Sequence, residues 1–216
     1  MNWISIVLNC ANIPVLVTAS YAVIRYKVLP KELQLFCWFI FFSTAIQFIS
    51  FFLWLNAKNN LFLSHIYVAV GFLLLCWFYE HVLQTWINAK IIRWIAFVFF
   101  IFCLITSRFV QPISTFNSFA LSVESILVII LSLTSYIILL NDSVKTSRKH
   151  LVKSLNWINS GLFIYYTSSL LLFYYGKFIM HYLPIIISKY IWVLHALFSS
   201  VMYLCFFIGL WKRPRN

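Results

Sequence analysis

Residues 117–140, NSFALSVESILVIILSLTSYIILL, make an apolar run that carries a single charged residue, Glu124. About 20 residues rising ~1.5 Å each cross the ~30 Å hydrocarbon layer of a bilayer, so the run reads as a transmembrane helix. A carboxyl group inside such a helix costs several kcal/mol unless it is protonated, paired or turned toward a polar interior. Glu124 therefore asks for a partner on another helix.

Six further apolar runs flank this one, at residues 3–23, 33–55, 61–83, 91–107, 155–176 and 189–210. The chain has 216 residues, 63% hydrophobic and 9% charged, whereas soluble domains carry roughly a quarter charged residues. A water-facing surface cannot be built from that supply. The predicted fold is all-α: a polytopic membrane protein whose residues 1–216 form one seven-helix bundle. The run at 91–107 is the shortest, with Arg93 snorkelling to the interface. Met1 and Asn2 supply no basic segment of the kind that opens a cleavable signal peptide, so the first helix is expected to stay.

The net charge of +12 would suit nucleic acid only if the basic residues were gathered on one solvated face. They are spread through the gaps between runs, the pattern of topology signals and of contact with anionic headgroups. The expected partner is the lipid bilayer and not nucleic acid. Arg25, Lys27, Lys31, Lys90, Arg93, Lys145, Arg148, Lys149, Lys153, Lys212, Arg213 and Arg215 fall in one set of alternate gaps, against Lys58, Arg108, Lys177 and Lys189 in the other. The bias predicts an outside N-terminus and a cytoplasmic C-terminus. Trp3, Trp54, Trp86, Trp94, Tyr182, Tyr190 and Trp211 near the run ends fit interfacial belts.

The five cysteines lie in apolar runs without CxxC spacing and read as small buried hydrophobes, and no cofactor is called for. No GxxxG pair occurs, so the close helix approach that motif permits is not expected. Pro14 predicts one kink in the first helix. Without matched Gly or Pro interruptions in two halves, a small transporter is a weaker alternative.

With this topology, polar residues collect at one depth in the outer half: Asn9 and Asn12, Gln47 and Ser50, Ser64 and His65, Asn117 and Glu124, and His195 with Ser199 one turn on. The predicted ligand-binding set is Glu124, His65, His195, Asn117, Gln47, Asn12 and Ser199, lining a cavity between helices. Interhelical hydrogen bonds that only hold the bundle are the other meaning of the same stripes. A second cluster, Glu80, Asn156 and Asn159, is placed toward the cytoplasmic side, with Glu80 suited to an interfacial ion pair. Catalysis has no motif of its own. A metal-dependent lipid hydrolase would need His65, His195 and Glu124 to converge, and no HxxxH or HExxH pair supports it. A retinal protein is not expected, because Lys189 stands at the mouth of the last helix and not in mid-membrane.

Residues 116–133 (FNSFALSVESILVIILSL), 155–173 (LNWINSGLFIYYTSSLLLF) and 191–211 (IWVLHALFSSVMYLCFFIGLW) resemble compact bacterial seven-helix membrane proteins that serve as membrane input regions of sensor histidine kinases, or as their separate neighbours. Asn117, Glu124, Ser125, Trp157, Asn159, Gly161, Tyr165 and His195 carry the resemblance. It implies a non-enzymatic sensor or signalling accessory module of a bacterial inner membrane that binds a small or lipophilic ligand, or a proton, and acts on a cytoplasmic or membrane signalling partner. Because the sequence stops at Asn216, the expectation is the input region or the separate neighbour and not a fused kinase.

Overall fold

The computed structural model describes residues 7, 10–56, 58–84, 86–141 and 149–212, except for the side chains at 149, 150 and 180. Within them lie seven α-helices and no strand: α1 Asn12–Arg25, α2 Lys31–Leu55, α3 Phe62–Leu83, α4 Ala89–Ile105, α5 Ser118–Leu140, α6 Lys149–Tyr182 and α7 Ile185–Trp211. A short 3-10 turn, Tyr26–Val28, follows α1, and α4 runs on into a π-turn, Thr106–Val110. Five of these segments are long and apolar enough to cross a membrane: Lys31–Leu55, Phe62–Leu83, Ala89–Val110, Ser118–Leu140 and Ile185–Trp211. The start expected for the first helix, with Trp3 and Asn9, lies outside the described residues, as do Lys145, Arg148, Arg213 and Arg215.

Several helices are longer than the apolar runs that announced them. The backbone explains where they begin. Proline presets φ and lacks the N–H that a first helical turn does not use. α2 and α7 therefore start directly after Pro30 and Pro184, so that Lys31 lies inside α2 and Lys189, the first residue of its apolar run, lies a turn inside α7. Asn88 caps α4 by accepting the Lys90 N–H at 3.0 Å, which moves its start back to Ala89. α6 is the largest departure: residues 155–176 were expected, and the helix takes in 34 residues with Lys177 inside it. An apolar run measures the part of a helix suited to lipid, whereas a helix ends only where its backbone is broken.

The helices pack as neighbours in a ring, α1–α2–α3–α5–α6–α7 and back to α1, with α4 seated outside against α3. Successive connections fall at alternate ends. At one end the α2–α3 turn meets the α4–α5 turn through Asn59 Nδ2 donating to the Ser114 carbonyl. Phe116 from that same α4–α5 turn stacks edge-on against Trp192 near the start of α7, and it also lies against Gly176 of α6. The centre of the ring is aromatic. Phe36 of α2 lies 5.0 Å from Phe78 of α3 and 4.8 Å from Phe206 of α7, ring centre to ring centre. Outward-facing positions are apolar too: Ile24, Trp94, Ile137 and Leu171 are all more than half exposed. A surface of this kind suits lipid, not water.

Close helix approach is present after all. A methyl group added at Gly161 of α6 would stand 2.9 Å from Cys205 Cβ and 3.0 Å from the Met202 carbonyl of α7. One added at Gly209 of α7 would stand 2.7 Å from Ile158 Cγ1 and 3.0 Å from the Ser154 carbonyl of α6. Two single glycines on antiparallel helices do reciprocally what a GxxxG pair does on one helix. Val7 and Cys10 are helical, the Ala11 N–H donates to the Val7 carbonyl at 2.9 Å, and Pro14 falls in the first turn of α1, so the helical path is interrupted at Ala11, three residues before the proline. Cys10 is exposed, whereas Cys37, Cys76, Cys103 and Cys205 are buried as expected, and all five are free thiols.

Candidate functional site

Glu124 is fully buried on α5, the only carboxylate among the described residues with no exposure at all. The buried side of α5 also carries small polar residues, Ser118, Ser122, Ser125, Ser132 and Ser135, among apolar ones such as Leu121 and Val128. Serine tolerates this because its hydroxyl can bond the carbonyl one turn back. Ser122 donates to the Ser118 carbonyl at 2.8 Å and Ser125 to the Leu121 carbonyl at 2.7 Å. Small side chains let α6 approach closely, and α6 answers with two consecutive tyrosines. Successive residues on a helix point about 100° apart, so Tyr166 faces α5 while Tyr165 faces α7. The Tyr166 hydroxyl donates to Glu124 Oε1 at 3.2 Å. The other carboxyl oxygen, Oε2, has no hydrogen-bond partner, and no cation pairs with Glu124 among the described residues. Tyr67 of α3 and Cys103 of α4 also lie within electrostatic range of the carboxyl.

His195 of α7 closes the other side of the tyrosine pair. Its Nδ1 lies 3.1 Å from Ser169 Oγ and its Nε2 3.4 Å from the Tyr165 hydroxyl, both on α6. Tyr165, Phe173 and Trp192 cage the ring at centroid distances of 5.4, 5.4 and 5.6 Å. The Tyr165 and Tyr166 rings meet edge to face at 5.1 Å. A polar line, Glu124, Tyr166, Tyr165, His195 and Ser169, thus crosses from α5 through α6 to α7. Ser199 is half-buried one turn beyond His195.

His65 is elsewhere. Its Nε2 lies 3.1 Å from the Thr115 carbonyl and its Nδ1 2.8 Å from Ser107 Oγ in the π-turn. A carbonyl only accepts, so Nε2 carries the proton, and in the neutral ring Nδ1 accepts from the serine hydroxyl. Both ring nitrogens are taken, and His65 ties α3 to the α4–α5 connection. Among the described residues no three His, Cys, Asp or Glu side chains come together as metal ligands. The convergence of His65, His195 and Glu124 that a metal-dependent hydrolase requires does not occur.

The remaining expected site residues are distributed between neighbouring helices. Gln47 Nε2 donates to Asn12 Oδ1 at 2.8 Å and links α2 to α1. Asn117 is buried ahead of α5 with neither side-chain polar atom bonded. Glu80 pairs with Arg93 of α4, with Nη2 at 2.6 Å from Oε1 and Nε at 3.1 Å from both oxygens. It does not join Asn159, which meets the adjacent Tyr79 instead. The Tyr79 hydroxyl donates to Asn159 Oδ1 at 2.9 Å and lies 2.9 Å from Ser132 Oγ, while Asn159 Nδ2 donates to the Ser132 carbonyl at 2.9 Å. With its one proton given to Asn159, Tyr79 can only accept from Ser132, so the three groups close a buried knot between α3, α5 and α6. Asn156 keeps Oδ1 buried and unbonded.

Tyr79, Tyr166 and Ser132 were not among the expected site residues. Aromatics inside an apolar run carry no sign of their hydroxyls' role, and only their position opposite Glu124 and Asn159 reveals it. No protein-family model, curated protein or solved structure matches this chain.

Proposed function

We propose that the protein is a non-enzymatic sensor or signalling accessory module of a bacterial inner membrane, crossing it seven times with the N-terminus outside. Its sensing centre is Glu124 in the polar line that runs to His195, and the stimulus is a proton or a small or lipophilic ligand. The observation that carries this reading is the unpartnered Oε2 of a fully buried carboxyl. A charge held there without a cation is expensive, so any gain of a proton or a ligand at that oxygen alters the bonding of Tyr166.

α6 is suited to pass that change on. It holds Tyr165, Tyr166 and Ser169 at the polar line and Asn159 at the second knot. At ~1.5 Å per residue its length reaches about 50 Å, and it begins at Lys149, beside the basic segment that the charge pattern places in the cytoplasm. A signalling partner would read the start of α6 and that segment. The knot at Asn159 gives the helix a fixed point about which its two ends are coupled.

Thermal unfolding of the purified full chain in detergent, followed across the pH range in which carboxyl and imidazole groups titrate, tests the sensing centre. The wild type is expected to change stability with pH and Glu124→Gln to flatten that dependence, because an amide cannot gain the proton. An identical pH profile and an identical melting temperature in the two proteins would remove Glu124 from the proposal.

A further inference from the structure

α3 and α4 are joined by a short turn, and between them runs a groove of about 890 Å³. Its two ends differ. Near the turn it is lined by Glu80, His81, Gln84 and Arg93, whereas Leu73, Cys76, Ala96 and Phe100 line it farther along the two helices. α3 and α4 run antiparallel, so Glu80 stands beside Arg93 while Leu73 lies beyond them in the same direction as Phe100. From Gln84 back to Leu73 the groove extends ~16 Å along α3. Its polar end is at the helix turn and its apolar end points toward mid-helix.

A second hollow of about 280 Å³ adjoins it on α4, lined by Lys90, Arg93, Trp94 and Phe97. These residues share one helical face by their three- and four-residue spacing. Glu80 engages Arg93 through Nε and Nη2, which leaves the Nη1 donors turned away from the carboxylate. The Arg93 side chain is 67% exposed and that of Glu80 only 14%. Lys90 is exposed as well. The mouth of the groove therefore holds two outward cations against one inward carboxylate, and tryptophans border it on both helices, Trp77 on α3 and Trp94 on α4.

We propose that this groove is the binding site for one anionic phospholipid. The phosphate lies against Lys90 and the Nη1 side of Arg93, and an acyl chain follows the wall from Ala96 to Phe100 and Leu73. Charge selects the headgroup: the excess of one positive charge at the mouth complements a lipid whose phosphate is not balanced by an amine. The tryptophans fit the depth at which headgroups sit. Glu80 holds the guanidinium at the correct height, because its paired oxygens fix the arginine from the inner side. This site is separate from the polar line at Glu124 and stands or falls independently of it.

Native mass spectrometry of the full chain, incubated with equal amounts of phosphatidylglycerol and phosphatidylcholine bearing the same acyl chains, tests the site. The wild type is expected to retain phosphatidylglycerol in preference, and Lys90→Gln to lower that preference about five-fold. Lys90 is exposed and outside the Glu80–Arg93 pair, so its loss leaves the fold in place. Lys212→Gln at the end of α7 should keep the wild-type preference. An unchanged preference in Lys90→Gln, or an equal loss in Lys212→Gln, overturns the proposal. Displacement of the lipid by equimolar inorganic phosphate or glycerophosphoglycerol overturns it also, since the apolar wall would then contribute nothing.

Discussion

Tyr79 and Tyr166 differ in what their hydroxyls leave behind when removed. Tyr166→Phe deletes the one hydrogen bond of the buried Glu124 carboxyl, at 3.2 Å, and leaves Oε1 unbonded like Oε2. Tyr79→Phe deletes the donor to Asn159 Oδ1 and the acceptor for Ser132 in a fully buried knot. A buried polar group left without its partner costs ~1–3 kcal/mol, whereas an interhelical bond in a membrane protein is worth ~0.6 kcal/mol on average. Thermal unfolding in detergent should therefore show a loss for both. The larger, about 2 kcal/mol, is expected for Tyr79→Phe, because it strands Asn159 Oδ1 and the Ser132 hydroxyl, and the smaller, about 1 kcal/mol, for Tyr166→Phe, because it strands Glu124 Oε1 alone. The reverse order would mean that the Glu124 bond, and not the Asn159 knot, holds the interior together. Sequence made half of this visible. Glu124, Asn159 and His195 stand out because polar groups in apolar runs must be explained, but their partners are tyrosines that look like any other core residue. His65 was legible as a buried polar residue and not as a tie to Ser107 and Thr115, since nothing in a sequence announces which loop folds back over a helix end.

The α6–α7 contact rests on absence of side chains, and glycine substitutions separate packing from helix propensity. Gly161→Ala and Gly209→Ala would each place a methyl within 3.0 Å of a backbone carbonyl or a Cβ of the facing helix. Overpacking of this kind costs ~1–3 kcal/mol. Gly71→Ala on α3 meets nothing nearer than Phe39 at 3.7 Å, and alanine favours a helix interior over glycine by ~0.5–1 kcal/mol. Melting temperatures are expected to fall for the first two and to hold or rise for the third. A fall for Gly71→Ala equal to the others would show that glycine flexibility, not close approach, is what α3 and α6 share. Helix positions were legible from apolar runs, because lipid imposes both their length and their composition. Helix ends were less so, as charged residues mark where a helix leaves the hydrocarbon, while Pro30, Pro184 and the Asn88 cap mark where its backbone begins. The reciprocal glycines could not be read from spacing, because each is alone on its own helix.

At the scale of the whole molecule, α1 and α6, the two helices that length and apolarity of the described residues do not single out as spans, both belong to the ring. α6 has a polar face, yet Asn159, Tyr165, Tyr166 and Ser169 are all bonded to α3, α5 or α7. Polar groups satisfied inside a bundle do not meet lipid, so such a helix can cross where an isolated one could not. α1 closes the ring through Thr18, whose hydroxyl lies 3.0 Å from the Tyr203 carbonyl of α7, and through Asn12 and Gln47. In the proposed seven-span topology alternate connections fall on opposite sides, with the side richer in basic residues facing the cytoplasm. Single cysteines at Lys58, Ile113 and Leu183, in a full chain whose native cysteines are replaced, should react with a membrane-impermeant thiol reagent in intact cells. Cysteines at Trp86 and Lys212 should react only after permeabilisation. If α6 lay along the membrane instead of crossing it, Leu183 would join the protected set and Lys212 would become reactive from outside. That one exchange separates seven crossings from six. It also decides whether the start of α6 and the polar line at Glu124 lie across the hydrocarbon from one another, as coupling of an outer stimulus to a cytoplasmic partner requires.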